Sequence, residues 1–248
     1  MPFCTCIYLV SYVAGTSKRC DCQLAIAMAS AGSKTALVLL DCQQSFVSGI
    51  WMSGIGKTDV EPIVAAFDKI ADLLPKLSTD VKVMMSQCPF PAPSDFDLYP
   101  PVQTAVMKRG ADTIKRVIKP GNSILRASGA IHWLDTAIFE SGVRTVIVAG
   151  CTLTSCVRVT ALDIQKRYGA NAAGFQTGVD LSLCGARSCN YVVRCNSCMG
   201  AYLRGFDTGQ CTHIYDVLLQ SPVGKTVSDL RDAGVRVYDS FDWSTYLT

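Results

Sequence analysis

From Thr35 onward the chain alternates between two hydrophobic patterns, and before that point neither is present. TALVLLD (35–41) is apolar without a break and ends in an acid, as a parallel strand buried on both faces would. Between Val60 and Leu77 the apolar residues fall at 63, 64, 67, 70, 71, 73 and 74, a spacing that predicts a helix. VKVMMSQ (81–87) reads as a second strand, and the proline-rich stretch CPFPAPSDFDLYPP (88–101) as a loop. A short apolar run at 113–118 leads into Lys119-Pro120-Gly121. Residues 130–141 are predicted helical, with Gly142 as the C-cap. RTVIVAG (144–150) is another buried strand, and residues 155–168 form a helix with Val157, Ala161 and Ile164 along one stripe. A strand at 172–183, helices at 190–204 and 226–233, and a closing strand VRVYD (235–239) complete the pattern, without internal repeats.

Strands separated by crossover helices define an α/β chain, a three-layer αβα arrangement with a parallel sheet between helices. Sites in such sheets lie beyond the carboxyl ends of the strands. That rule selects Asp41, the Gln87–Cys88 region and the turn after Gly150. Residues 1–33 have no strong periodicity and are read as a loosely structured N-terminal arm, with one domain over residues 34–248.

Composition narrows the function. The net charge is only +3 and no Lys/Arg cluster forms a stripe, which argues against nucleic acid as a partner and for a small-molecule substrate. No apolar run is long enough for a membrane span. Residues 3–15 have the apolar length of a targeting segment, but the basic residues Lys18 and Arg19 follow it rather than precede it. The 13 cysteines are spread through a chain that can bury an ordinary core, so most are read as reduced packing residues of a cytoplasmic protein. Cys195-x-x-Cys198, with Cys184, Cys189 and Cys211 nearby, has knuckle-like spacing. A matching second pair is missing and the predicted helix gives a packing explanation, so no zinc site is expected.

The stretch GCTLTSCVRVTALD (150–163) carries the strongest candidate chemistry. A buried strand ends at Gly150, a tight turn follows, and Cys156 falls in the first turn of the next helix. Free N–H groups and the positive helix end there favour a thiolate and can receive an oxyanion. Only His132 and His213 are available as histidine bases, and neither has local support. Asp41 is the better base, and Lys119 a cation able to steady both anions. Phe90, Phe96, Tyr99, Trp51 and Trp133 are candidate walls of a substrate pocket, although core packing explains Trp133 equally well. Cys88, after the second strand, is a further pocket candidate.

Three segments together carry a resemblance. Asp41-Cys42-Gln43-Gln44-Ser45-Phe46 resembles the D-x-Q-x-x-F segment of the isochorismatase-like hydrolases. Lys119-Pro120 with Ser123 is similar to their K-P-x-x-S segment, and Gly150 through Cys156-Val157-Arg158 to Thr160-Ala161 to their G-x-x-T-x-x-C-V-x-x-T-A segment. The resemblance spans roughly residues 35 to 185. It implies a six-stranded parallel sheet and an Asp41–Lys119–Cys156 triad, with Gln43 and Phe46 near the substrate. It also implies a cis peptide between Cys151 and Thr152 that aims the Thr152 and Cys156 N–H groups into an oxyanion hole.

Nicotinamidases of the family carry an Asp/His metal site between the first two motifs. Residues 42–118 contain no histidine, so neither a metal nor another cofactor is expected. Isochorismatases proper cleave a vinyl ether and usually lack the cysteine, so Cys156 favours hydrolysis of an amide or ureido C–N bond through a thioester. Cys-Val-Arg resembles the N-carbamoylsarcosine amidase branch, although Thr154-Ser155 departs from that branch's usual pair. The alternatives are vinyl-ether hydrolysis releasing pyruvate, a non-catalytic member acting as a binding protein, and a zinc or redox protein built on the C-terminal cysteines. Assembly as a homo-oligomer is expected.

Overall fold

The computed structural model describes residues 34–55, 57–195, 197–198 and 218–248. The arm expected at 1–33 and His213 lie outside the described residues. Six strands form the main sheet: β1 (Lys34–Leu40), β2 (Lys82–Gln87), β3 (Ile114–Ile118), β4 (Val143–Cys151), β5 (Gln176–Gly185) and, last in the chain, β8 (Arg236–Tyr238). Their order is β3-β2-β1-β4-β5-β8, and every neighbouring pair is parallel. A separate antiparallel pair joins β6 (Arg194–Cys195) to β7 (Leu218–Gln220).

The sheet is flanked by helices α1 (Ile50–Ile55), α2 (Glu61–Leu73), α3 (Pro100–Arg109), α4 (Ala130–Asp135), α5 (Arg158–Tyr168) and α6 (Pro222–Asp232). The apolar spacing of α2 buries Ile63, Ala66, Phe67 and Ile70. That stripe packs α2 on β5 and against α3. α5 buries Ala161, Ile164 and Tyr168, and it contacts both β5 and α6. β1 is covered on both faces, which is why residues 36–40 needed an unbroken apolar run. Among the described residues no helix is long and apolar enough to cross a membrane.

Three elements differ from the sequence expectation. In its described part the predicted helix at 190–204 is a short 3-10 turn (Ser188–Tyr191) followed by β6, and helical backbone returns at 197–198. Val192-Val193 is β-branched, and the backbone finds its partner in β7. The proline-rich loop ends earlier than expected, because Pro100 and Pro101 open α3 as its first helical residues. The last helix likewise begins at Pro222 rather than 226, with the Ser221 hydroxyl accepting the Gly224 N–H at 3.0 Å.

The chain runs from β1 outward through β2 to β3, then returns to the other side of β1 as β4. That reversal leaves a crevice between the carboxyl ends of β1 and β4, the place where doubly wound sheets bind ligands. The two ends approach closely. Gly150 pairs with Leu40, has φ 109°, and a Cβ there would lie 2.2 Å from the Leu40 carbonyl oxygen. Only glycine fits.

Candidate active site

Asp41, directly after β1, has φ 53°, a left-handed conformation that Asp tolerates better than most residues. Its N–H donates to Ser86 O at 3.1 Å, and its Oδ1 accepts the Ser86 hydroxyl at 2.8 Å. The carboxylate is thus fixed from β2, with Oδ2 left facing Lys119. Asp41 is fully buried, and no donor is aligned on Oδ2 in hydrogen-bonding geometry. The Lys119 ammonium lies 2.8 Å from it as a charge partner.

Lys119 follows β3, whose ladder it extends by donating its N–H to Gln87 O at 3.0 Å. The side chain is only 1% exposed, because its long stem crosses the end of β2 to reach the crevice. Its Nζ meets Gly121 O at 2.9 Å, Cys156 Sγ at 3.2 Å and Cys88 Sγ at 3.6 Å. One ammonium therefore touches the carboxylate and two thiols.

Cys156 sits in a π-helical turn (Leu153–Val157) that precedes α5, rather than in an α-helical first turn. The Cys151–Thr152 peptide bond before it is cis, and the Thr152 carbonyl accepts the N–H groups of Ser155 and Val157 at 3.1 Å each. Around the sulfur lie Ser155 Oγ and Asn122 Oδ1, both at 3.8 Å. Cys156 is 8% exposed and Thr152 likewise, so a small opening remains at this turn.

The electrostatics run against the helix-end effect at Cys156. Burial pushes the Cys156 thiol up, and the Asp41 carboxylate pushes it further. Lys119 and Ser155 pull it back without reversing the shift. Desolvation and the nearby anion thus work against the thiolate that the helix-end position alone would favour. Burial opposes the Lys119 charge, but Asp41 and Cys156 hold its pKa above the ordinary lysine range. Cys88 is pushed up to about 12 by burial and then Asp41, and burial raises Cys42, Cys151 and Cys184 well above the usual thiol range.

The other sequence candidates divide. Gln43 is buried, and its amide clasps a loop: Nε2 donates to Cys88 O (3.0 Å) and Phe96 O (2.9 Å), and Oε1 accepts the Cys88 N–H (2.6 Å). Its polar groups are thus occupied by backbone, which suits it to holding the β2 end in place. Phe46 packs its ring on Trp51 (5.2 Å) and Phe90 (5.3 Å), while Phe96 is half-buried and serves the Gln43 clasp through its carbonyl. Cys88 faces the lysine. His132 is exposed on α4. Among the described residues no group of three or more His, Cys, Asp or Glu side chains gathers where it can hold a metal ion.

Sequence reading missed Ser86 and Asn122. Ser86 looked like an ordinary strand residue, and its only signal was the first polar side chain near the end of an apolar strand. Of the cleft beside the Cys156 turn, about 330 Å³ in volume, sequence reading named one wall, Trp51, and missed Thr154, Arg158 and Lys225.

An acid, a lysine and a cysteine thus converge at the switch point of a parallel sheet. The isochorismatase domain profile matches residues 35–188, and the chain belongs to that family. It is similar to the nicotinamidase PncA of Bacillus subtilis (TM-score 0.53, 16% identity, covering 83% of this chain and 99% of that one). The N-carbamoylsarcosine amidase of Thermoplasma acidophilum is comparably similar (TM-score 0.50, 15% identity, 84% and 99%). So is an octameric hydrolase of unknown specificity from Escherichia coli (TM-score 0.50, 14% identity, 82% and 74%). No curated protein sequence matches the chain significantly. The protein is an isochorismatase-like hydrolase, and its six-stranded parallel sheet is that of the family.

Proposed function

We propose that the enzyme hydrolyses an amide or ureido C–N bond of a small molecule through a thioester on Cys156. The observation that carries this reading is the buried Lys119 ammonium, 2.8 Å from Asp41 Oδ2 and 3.2 Å from Cys156 Sγ. The base and the thiol share one cation, so the charge can move from oxygen to sulfur without leaving its counter-ion. Asp41 takes the thiol proton on Oδ2, and Cys156 attacks the carbonyl. The N–H groups of Thr152 and Cys156 receive the oxyanion. As the tetrahedral intermediate collapses, Asp41 returns the proton to the departing nitrogen. Water then cleaves the thioester by the same proton route. Ser86 keeps Oδ1 occupied and so directs Oδ2 to this work. Self-association is part of the proposal, in keeping with the octameric relative.

The test is a panel of amide, ureido and vinyl-ether compounds followed for release of ammonia or pyruvate. Cys156→Ala is expected to abolish ammonia release. The double variant Asp41→Asn/Cys156→Ala should be hardly worse than either single one, since residues acting as a unit are non-additive. If Cys156→Ala keeps most of its turnover while Asp41→Asn loses it, the thioester route is wrong, and vinyl-ether cleavage with Asp41 as proton donor takes its place.

A further inference from the structure

The family match ends at residue 188, yet one wall of the cleft beside the nucleophile turn comes from beyond it. α6 turns Pro222, Lys225, Thr226 and Asp229 toward the cleft. These are positions i, i+3, i+4 and i+7, one complete stripe of a helix. Leu230, fully buried, anchors the helix on its packed side. Across the cleft stands Arg158, the first residue of α5, with Thr154 one turn before it. Thr152 also lines the cleft and is the residue it shares with the catalytic turn.

The charges on these walls do not cancel. Asp229 Oδ2 lies 3.3 Å from both Nε and Nη2 of Arg158, and its Oδ1 lies 2.9 Å from Lys225 Nζ. Two cations share one carboxylate, which leaves a surplus of one positive charge. Arg187, another lining residue, is paired with Asp59 and adds nothing to that surplus. The three side chains are 36%, 44% and 26% exposed, open enough to meet a ligand.

Helix stability does not account for this placement. Lys225 occupies the first turn of α6 and Asp229 the last, the order that the helix dipole disfavours. What the arrangement does provide is positive charge at one spot of an enclosed space, beside the turn that holds the nucleophile.

We propose that Arg158 and Lys225, bridged by Asp229, form a seat for a carboxylate of the substrate. The enzyme's substrates are then small amides or ureides that carry one carboxylate remote from the scissile bond, a statement that rests on the hydrolase reading above. The planar guanidinium presents paired donors to a carboxylate, and Lys225 adds a mobile point charge. Asp229 holds both cations in place when the seat is free. Specificity for charge is in this way set jointly by Arg158 on α5 and by α6, the latter outside the segment that defines the family.

The experiment separates binding from turnover. Calorimetry on the Cys156→Ala protein compares matched pairs that differ only in a carboxylate or its methyl ester: N-carbamoylglycine, N-carbamoyl-β-alanine and N-acetylglycine. In at least one pair the acid is expected to bind about tenfold or more tightly than the ester, the scale of one charge-assisted contact. Adding Lys225→Met should shrink that preference to about threefold or less, whereas Asp229→Asn, which frees both cations, should enlarge it. Opposite responses in two variants of one helix cannot come from misfolding. If no pair prefers the acid, or the preference ignores both substitutions, the seat is overturned. Ammonia release by the unmodified enzyme distinguishes the two readings. Cys156-dependent turnover of the esters as efficient as that of the acids keeps the hydrolase and removes the seat. Acid-selective binding with no turnover of any compound keeps the seat and removes the hydrolase.

Discussion

Replacing Asp41 by asparagine is expected to slow hydrolysis by about 10²–10⁴-fold while making Cys156 more reactive toward an alkylating reagent at neutral pH. The two effects have one cause. In the proposed mechanism Asp41 serves as the base, so its loss removes the acceptor for the thiol proton. The same carboxylate is also, after burial, the largest influence holding the Cys156 pKa up. With it neutralised, the Lys119 ammonium at 3.2 Å is free to stabilise the thiolate alone. Each unit by which the thiol pKa falls raises the thiolate fraction about tenfold below that pKa. Iodoacetamide labelling followed by peptide mapping measures the reactivity, and ammonia release measures turnover. In the unsubstituted protein labelling of Cys156 should still be climbing above pH 9, because the raised pKa leaves the thiolate incomplete there. Slower labelling in Asp41→Asn would show that the carboxylate does not act on this sulfur.

Gly150→Ala should be the most damaging single change in the sheet. The new methyl group would sit 2.2 Å from the Leu40 carbonyl oxygen and 2.7 Å from its amide nitrogen, and both are backbone atoms of the central strand. Neither can swing aside as a side chain does. The residue also holds φ at 109°, which L residues rarely adopt. Such a combination belongs among the rare substitutions costing about 4 kcal/mol or more. In a domain of this size that amounts to a fall of about 10 °C or more in Tm, read by circular dichroism. Any protein recovered should have lost activity as well, since β1 must separate from β4 where each carries a catalytic element. An unchanged melt would mean that the two strand ends are farther apart than described.

Much of this was legible in the sequence, for physical reasons. β1 and the middles of β2 and β4 are buried on both faces, so their apolar runs at 36–40, 83–85 and 146–149 are visible. Asp41, Lys119 and Cys156 all follow strands, and the rule that α/β sites lie at strand carboxyl ends finds them one at a time. What the sequence concealed has causes too. α1 has six residues, too few for a period to show. α3 and α6 begin with proline, which reads as a breaker until its place at the first helical turn is known. The state of the Cys156 sulfur depends on burial and on a neighbour 115 positions away, neither of which a local helix-end argument contains. The arginine–aspartate–lysine bridge over the cleft joins residues 158, 225 and 229, and only the packing of α5 against α6 brings them together.

Lys119 is drawn from β3, an edge strand of five residues with a sheet partner on one side only. On the proposed mechanism, a chain that has assembled β1, β2 and β4 holds Asp41 and Cys156 but not the lysine that pairs them. Edge strands open at lower free energy than central ones. Activity needs this edge strand in place, so during refolding it is expected to return later than the sheet's circular dichroism signal. Activity regained together with that signal would show that β3 closes as early as the central strands.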